Sequence, residues 1–284
     1  MISRLLPPSN DATRQALYAG EVFLTAPTEA SSRLVAAVRA DIEDVLGPDP
    51  RRAQLRLDPP VFFAKVGALR RLLYLGDRYH ALSREVMAGM GFDPAQMAFD
   101  PLRARVILHA GHEDPRAAAV YYPHRDIWYG HPPGLINWWI PLDDLEAAET
   151  FEFYPDYFHR PIPNDSEIFD YDAWVAQGWS LKIGWQDRDA GLQAKYPGII
   201  GSPPLGPRVG FACEAGANLL FAGAHLHATR PQSFGRSRFS VEFRAVHLGD
   251  HAAGRAAPRI DDRSRGTALN DYIHPGQVNW PPHP

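Results

Sequence analysis

The residues best suited to chemistry fall in two clusters. The first is His124-Arg125-Asp126, inside the run YYPHRDIWYG. Side chains alternate along a strand, so an H-x-D triplet on a strand sets an imidazole and a carboxylate on one face. Both can then reach a single metal ion. A two-histidine, one-carboxylate iron(II) centre needs one more imidazole from a distant part of the chain, and it keeps its opposite face open for other ligands. The same HRD letters open the protein-kinase catalytic loop. That loop needs Asn five residues after the Asp, where this chain has His131, and neither a glycine-rich phosphate loop nor D-F-G is present.

The second cluster, FAGAHLHATRPQSFGRSRFSVEFR, supplies the further imidazole. His225 and His227 both precede Arg238, with Ser240 two residues after it. A ligating His at the start of one strand and an Arg on the next have a joint use. The metal chelates one end of a dicarboxylic acid while the guanidinium fork holds the other carboxylate bidentately. From Arg238 onward, Phe239, Val241, Phe243 and Ala245 alternate with Arg238, Ser240, Glu242 and Arg244. The apolar and polar residues therefore occupy opposite faces of one strand. If Arg238 and Ser240 bind an acid, the polar face points inward rather than to water. Alternation alone leaves His225 and His227 equivalent.

Taken together, H-x-D, a distal His, Arg eleven residues on and Ser two beyond it resemble the iron(II)/2-oxoglutarate dioxygenases of the phytanoyl-CoA dioxygenase-like superfamily. The likeness extends to His124–Tyr129 with Pro132, to Ile136–Pro141 (INWWIP) and to Phe153–Tyr157, with a weaker echo in GTALNDY at 266–272. It implies that His124, Asp126 and His227 ligate Fe(II), the spacing to Arg238 favouring His227 over His225. It further implies that Arg238 and Ser240 hold 2-oxoglutarate, with Trp139 and Thr229 also in the cosubstrate pocket. Asn137 shares a strand face with Trp139 and is a candidate contact for the cosubstrate or substrate. Arg103 or Arg105 could supply a second cosubstrate contact. Trp128, Tyr129 and Tyr157 are candidates for the substrate pocket, whereas His131, in an HPPG turn, reads as a loop residue. With O2 as the third reactant, the implied activity oxidises a C–H bond of a small secondary metabolite in natural product biosynthesis and releases succinate and CO2. Asp126 occupies the room that chloride needs in halogenases of this fold, so hydroxylation, desaturation, cyclisation or demethylation is expected instead. The competing reading is a cupin-like barrel that binds a small molecule without catalysis, or hydrolyses it.

These residues need a scaffold. Leu34, Val35, Val38, Ile42, Val45 and Leu46 recur at helical spacing before Gly47-Pro48, and a second helical region spans about 61–90, weakened at Gly67 and Gly76. After Pro101 the pattern changes to strands at 103–109, 135–142, 151–154, 218–221 and 238–248, joined by long loops rather than helices. Prolines number 27 in 284 residues, about twice the ~5% norm, which argues against a helical bundle. The expected fold is mainly β: a double-stranded β-helix (jelly-roll) core at about 101–250, with N-terminal helices (about 1–100) packed outside. The segment 251–284 would be an extended arm or mobile end, and all 284 residues form one domain. A net charge of −4 without a basic block argues against nucleic acid or an anionic membrane as partner. The lone Cys213 excludes an internal disulfide and any Cys-based metal cluster. With no signal-like or spanning run, a cytoplasmic enzyme is expected, its oligomeric state open, a homodimer included.

Overall fold

The computed structural model describes residues 2–177 and 196–277. Its strands are β1 (Ile2–Ser3), β2 (Val22–Thr25), β3 (Met97–Phe99), β4 (Arg103–Ile107), β5 (Ile136–Pro141), β6 (Phe151–Phe153), β7 (Asn218–Ala222), β8 (His227–Thr229) and β9 (Arg238–His247). Its α-helices are α1 (Asn10–Tyr18), α2 (Glu29–Leu46), α3 (Ala53–Arg56), α4 (Pro59–Leu75), α5 (Asp77–Gly89), α6 (Tyr171–Gln177) and α7 (Leu248–Ala252).

The helices begin and end where local chemistry requires. Thr28 caps α2 through a reciprocal pair with Ser31, and Gly47, at φ 81°, ends it in a conformation that L side chains rarely adopt. The second helical region divides at Gly76, while Gly67 lies within α4. A Cβ at position 76 would sit 2.7 Å from the Leu72 carbonyl oxygen.

Seven strands form one mixed sheet in the order β1-β2-β7-β5-β9-β3, with β4 also pairing with β9, and β6 and β8 form a separate two-stranded sheet. The central strand β9 is antiparallel to β3, β4 and β5. One face of this sheet packs on the N-terminal helices. Trp138 stacks on Phe243 at 5.3 Å and meets Phe92 edge-on at 5.1 Å, in a core that also takes in Leu34, Val38, Leu69 and Val86. Burial of each such side chain contributes about 2 kcal/mol. On the other face, Trp139, Phe151, Phe153, Phe211 and Phe221 form a second core against β6.

Two expectations need correction. The chain is not mainly β, because α2, α4 and α5 alone hold more residues than the nine strands together; it is a mixed sheet with helices. The segment after 250 is no loose arm as far as residue 277. Ile273 is fully buried and bridges Phe99, and Tyr272 is buried beside it. No helix among the described residues is long and apolar enough to cross a membrane.

Candidate metal centre

His124 and His227 are brought together by the backbone. Each donates its N–H to the other's carbonyl at 3.0 Å, an isolated antiparallel bridge at the start of β8. Arg125 remains extended (φ −113°, ψ 138°), so Asp126 projects to the same side as His124, but the H-x-D triplet does not lie on a strand. The chain turns at Asp126 into a short 3-10 segment, Asp126–Tyr129, and reverses at Gly130 (φ 72°). There a Cβ would lie 2.8 Å from Cβ of Tyr171.

Donor atoms of His124, Asp126 and His227 all lie within 4.8 Å of one another, and this is the candidate metal cluster among the described residues. Nδ1 of His124 lies 2.8 Å from the Tyr122 carbonyl, and Nδ1 of His227 lies 3.0 Å from the His225 carbonyl. A carbonyl only accepts, so each Nδ1 carries a proton and each Nε2 is the ring nitrogen left for a metal. Burial, then the neighbouring His227, pushes His124 down to about 4, which keeps it in the neutral ligand form at pH 7. Burial alone would push Asp126 up, but Arg244, His227 and His124 outweigh it and hold the carboxyl below its ordinary range. Asp126 accepts from Asn137 Nδ2 at 2.8 Å and from Arg244 at 3.4 Å. Arg244 in turn reaches Asp100 at 3.1 Å and Glu242 at 3.3 Å.

The triad opens into a cavity of about 260 Å³ between the two sheets. Arg238 and Glu242 line it together with Arg244, so the polar face of β9 is indeed turned inward. Arg238 is 3% exposed. Its Nη1 donates to the Glu149 carbonyl at 3.3 Å, its Nε is buried with no partner, and its guanidinium lies 5.6 Å from the Trp139 ring centre. Burial pushes it down to about 10, which leaves it a cation at neutral pH. No carboxylate among the described residues pairs with it. A buried guanidinium in this state is destabilising unless an anion joins it. Ser240 accepts from Trp139 Nε1 at 2.9 Å, so its own hydroxyl proton is left to donate. Thr229, Asn137, Trp139, Tyr129, Arg103 and Arg105 also line the cavity. Arg103 is paired with Asp100 and Arg105 with Glu242.

Three other residues lie elsewhere. Trp128 is fully buried and donates to Asp261 at 2.9 Å. Tyr157 is buried with its hydroxyl on the Pro204 carbonyl at 2.7 Å. Both sit in short 3-10 turns that aim their rings at the core, so neither lines the cavity. His225 is in the turn before β8, packed against Phe158 and Phe153, and its carbonyl orients His227.

Several residues of the site carry no recognisable spacing. Arg125, 1% exposed, donates to the carbonyls of Ala224, Tyr157 and Arg160 and pairs with Asp261 at 3.1 Å. It thereby ties the loop bearing His124 and Asp126 to the turn before His227. Asp261 also accepts from the Ile162 amide. Replacing Asp261 with Ala leaves the Arg125 charge without its counter-ion, so thermal unfolding should show a loss of ~3 kcal/mol. Metal titration of the variant should show ten- to hundredfold weaker binding, the usual cost of losing an outer-shell support. A variant as stable and as metal-avid as the parent would show that Asp261 does not brace the centre. Glu242 and Arg244 did carry a signal, the polar half of the β9 alternation.

No protein-family model matches the sequence, and no curated protein matches it. Among solved structures, the chain is similar to ThoJ, a non-heme monooxygenase in its apo form, at 11% identity over 82% of this chain and 76% of that one, TM-score 0.47. It is similar to EvdO2 from Micromonospora carbonacea var. aurantiaca complexed with 2-oxoglutarate, at 13% identity over 86% and 93%, TM-score 0.45. It is also similar to the epimerase SnoN in complex with Fe3+, alpha ketoglutarate and nogalamycin RO, at 15% identity over 84% of each chain, TM-score 0.43.

Proposed function

We propose that this protein is an Fe(II)/2-oxoglutarate-dependent oxygenase that oxidises a C–H bond of a small secondary metabolite. The observation that carries the reading is Arg238, a buried cation without a carboxylate partner among the described residues, on the wall of the cavity that also holds the His124–Asp126–His227 triad. Two imidazoles and one carboxylate suit Fe(II), and no thiolate competes, since Cys213 is the lone cysteine. The seven-stranded and two-stranded sheets are taken as the two walls of a double-stranded β-helix, forming one domain with the helices.

Bound Fe(II), with 2-oxoglutarate and O2, would supply the oxidation, yielding succinate and CO2 while a substrate C–H bond is broken. The chain's own part is positioning. His124 and His227 present Nε2 because backbone carbonyls hold their Nδ1 protons. Asn137 and Arg244 fix the rotamer of Asp126. Arg238 receives the distal carboxylate of the cosubstrate, with Ser240 donating beside it, and Trp139 packs against the guanidinium. Asn137, Trp139 and Thr229 shape the cosubstrate side of the cavity, and Tyr129 the substrate side.

The test uses protein prepared without oxygen. Adding Fe(II) and 2-oxoglutarate together should produce a weak visible metal-to-ligand charge-transfer band, and admitting air should release succinate. No band and no succinate would reject the reading and leave a binding or hydrolytic barrel.

A further inference from the structure

Among the described residues, three arginines line the cavity besides Arg238, and each already faces a carboxylate. Arg103 pairs with Asp100, Arg105 with Glu242, and Arg244 with Asp100, Asp126 and Glu242. Arg103, Arg105 and Arg244 thus balance Asp100, Asp126 and Glu242, and none of them is left to call for an anionic group on a substrate. Among the described residues much of the remaining wall is aromatic: Tyr129, Phe169, Tyr171, Trp174 and Tyr196. Tyr129 stands edge-on to Phe169 at 5.6 Å and to Tyr196 at 6.0 Å. Such a wall matches the face of a ring.

One polar group on this wall is built in. His131 lines the cavity, and its Nδ1 lies 3.0 Å from the Tyr272 hydroxyl. Burial first, then the nearby Arg244, holds this imidazole well below its ordinary range, so it is neutral and carries one N–H. Among the described residues the Tyr272 hydroxyl bonds to no other group, so its proton goes to Nδ1. The ring N–H is therefore on Nε2. We infer that His131, oriented by Tyr272, is a specificity-determining donor for a carbonyl or ether oxygen on a ring-bearing substrate that carries no net charge. This rests on the proposed function only for what is then done to the substrate; the recognition itself is a property of the wall.

Protein loaded with Ni(II) and 2-oxoglutarate, which does not turn over, is titrated calorimetrically with three probes: 1-tetralone, its hydrocarbon counterpart tetralin, and 1-naphthoate. The ketone should bind about tenfold tighter than the hydrocarbon, the worth of one hydrogen bond, and tighter than the carboxylate. His131→Phe should abolish the ketone's advantage, His131→Gln should restore most of it, and Tyr272→Phe, which keeps the ring, should reduce it severalfold. The inference is overturned if naphthoate binds best, if the ketone shows no saturable binding, or if its advantage survives in His131→Phe and Tyr272→Phe alike. Binding of 2-oxoglutarate is measured in the same samples. If that fails, the proposed function falls, and the ketone–hydrocarbon comparison is read on metal-free protein by the same criteria.

Discussion

Replacing Asp126 with Ala should abolish succinate formation and weaken Fe(II) binding by more than ~100-fold, because groups that only support a ligand are already worth 10–100-fold. The carboxylate is the one charged donor of the cluster, and it is held from two sides, by Asn137 and by Arg244. Fold loss would not explain the result. Arg244 keeps Asp100 and Glu242 as partners, so the variant should melt close to the parent. Asp126→Glu supplies the sharper contrast. It keeps the charge but adds a methylene, which should restore part of the metal affinity while turnover stays low. If Asp126→Ala binds Fe(II) and turns over like the parent, the ligand assignment is wrong.

Replacing Arg238 with Gln should leave Fe(II) binding intact and raise the 2-oxoglutarate dissociation constant about 100-fold. Two charge-assisted hydrogen bonds of ~1.5 kcal/mol each account for that factor. A second signature separates a ligand-binding arginine from a structural one. Without cosubstrate, among the described residues the guanidinium has only the Glu149 carbonyl and the Trp139 face, and its Nε has no partner. Arg238→Met should therefore be as stable as the parent or more so. On addition of 2-oxoglutarate the parent should gain melting temperature and the variant should not. If the variant is destabilised without ligand yet shifts normally with it, Arg238 is structural.

The clustering of His124, Asp126 and His227 was legible because residue types and spacing constrain it from both ends. H-x-D works while residues 124 and 125 are extended, and Arg238 singles out His227 by distance along the chain. The triplet needs no strand for this, since one bridge followed by a turn places the same two side chains as a strand would. Strands and helices with strong alternation were placed nearly to the residue, α2 and β9 among them. Trp128 and Tyr157 were misplaced because 3-10 turns have no alternation by which to tell inside from outside. Arg125 and Asp261 meet across more than a hundred residues, and no local pattern encodes such a pair. The helical N-terminal part was legible in its periodicity, whereas short helices such as α6 and α7 follow no long apolar repeat.

The clamp of Arg125 on Asp261, and the bridge of Phe99 to Ile273, also order events in time. During synthesis His124, Asp126 and His227 all emerge before residue 261 does. Until residue 261 emerges, the loop between His124 and Asp126 lacks the counter-ion of Arg125. Contacts this distant in sequence form slowly. A nascent chain stalled before residue 261 should therefore hold the ligands without the bracing of a finished centre.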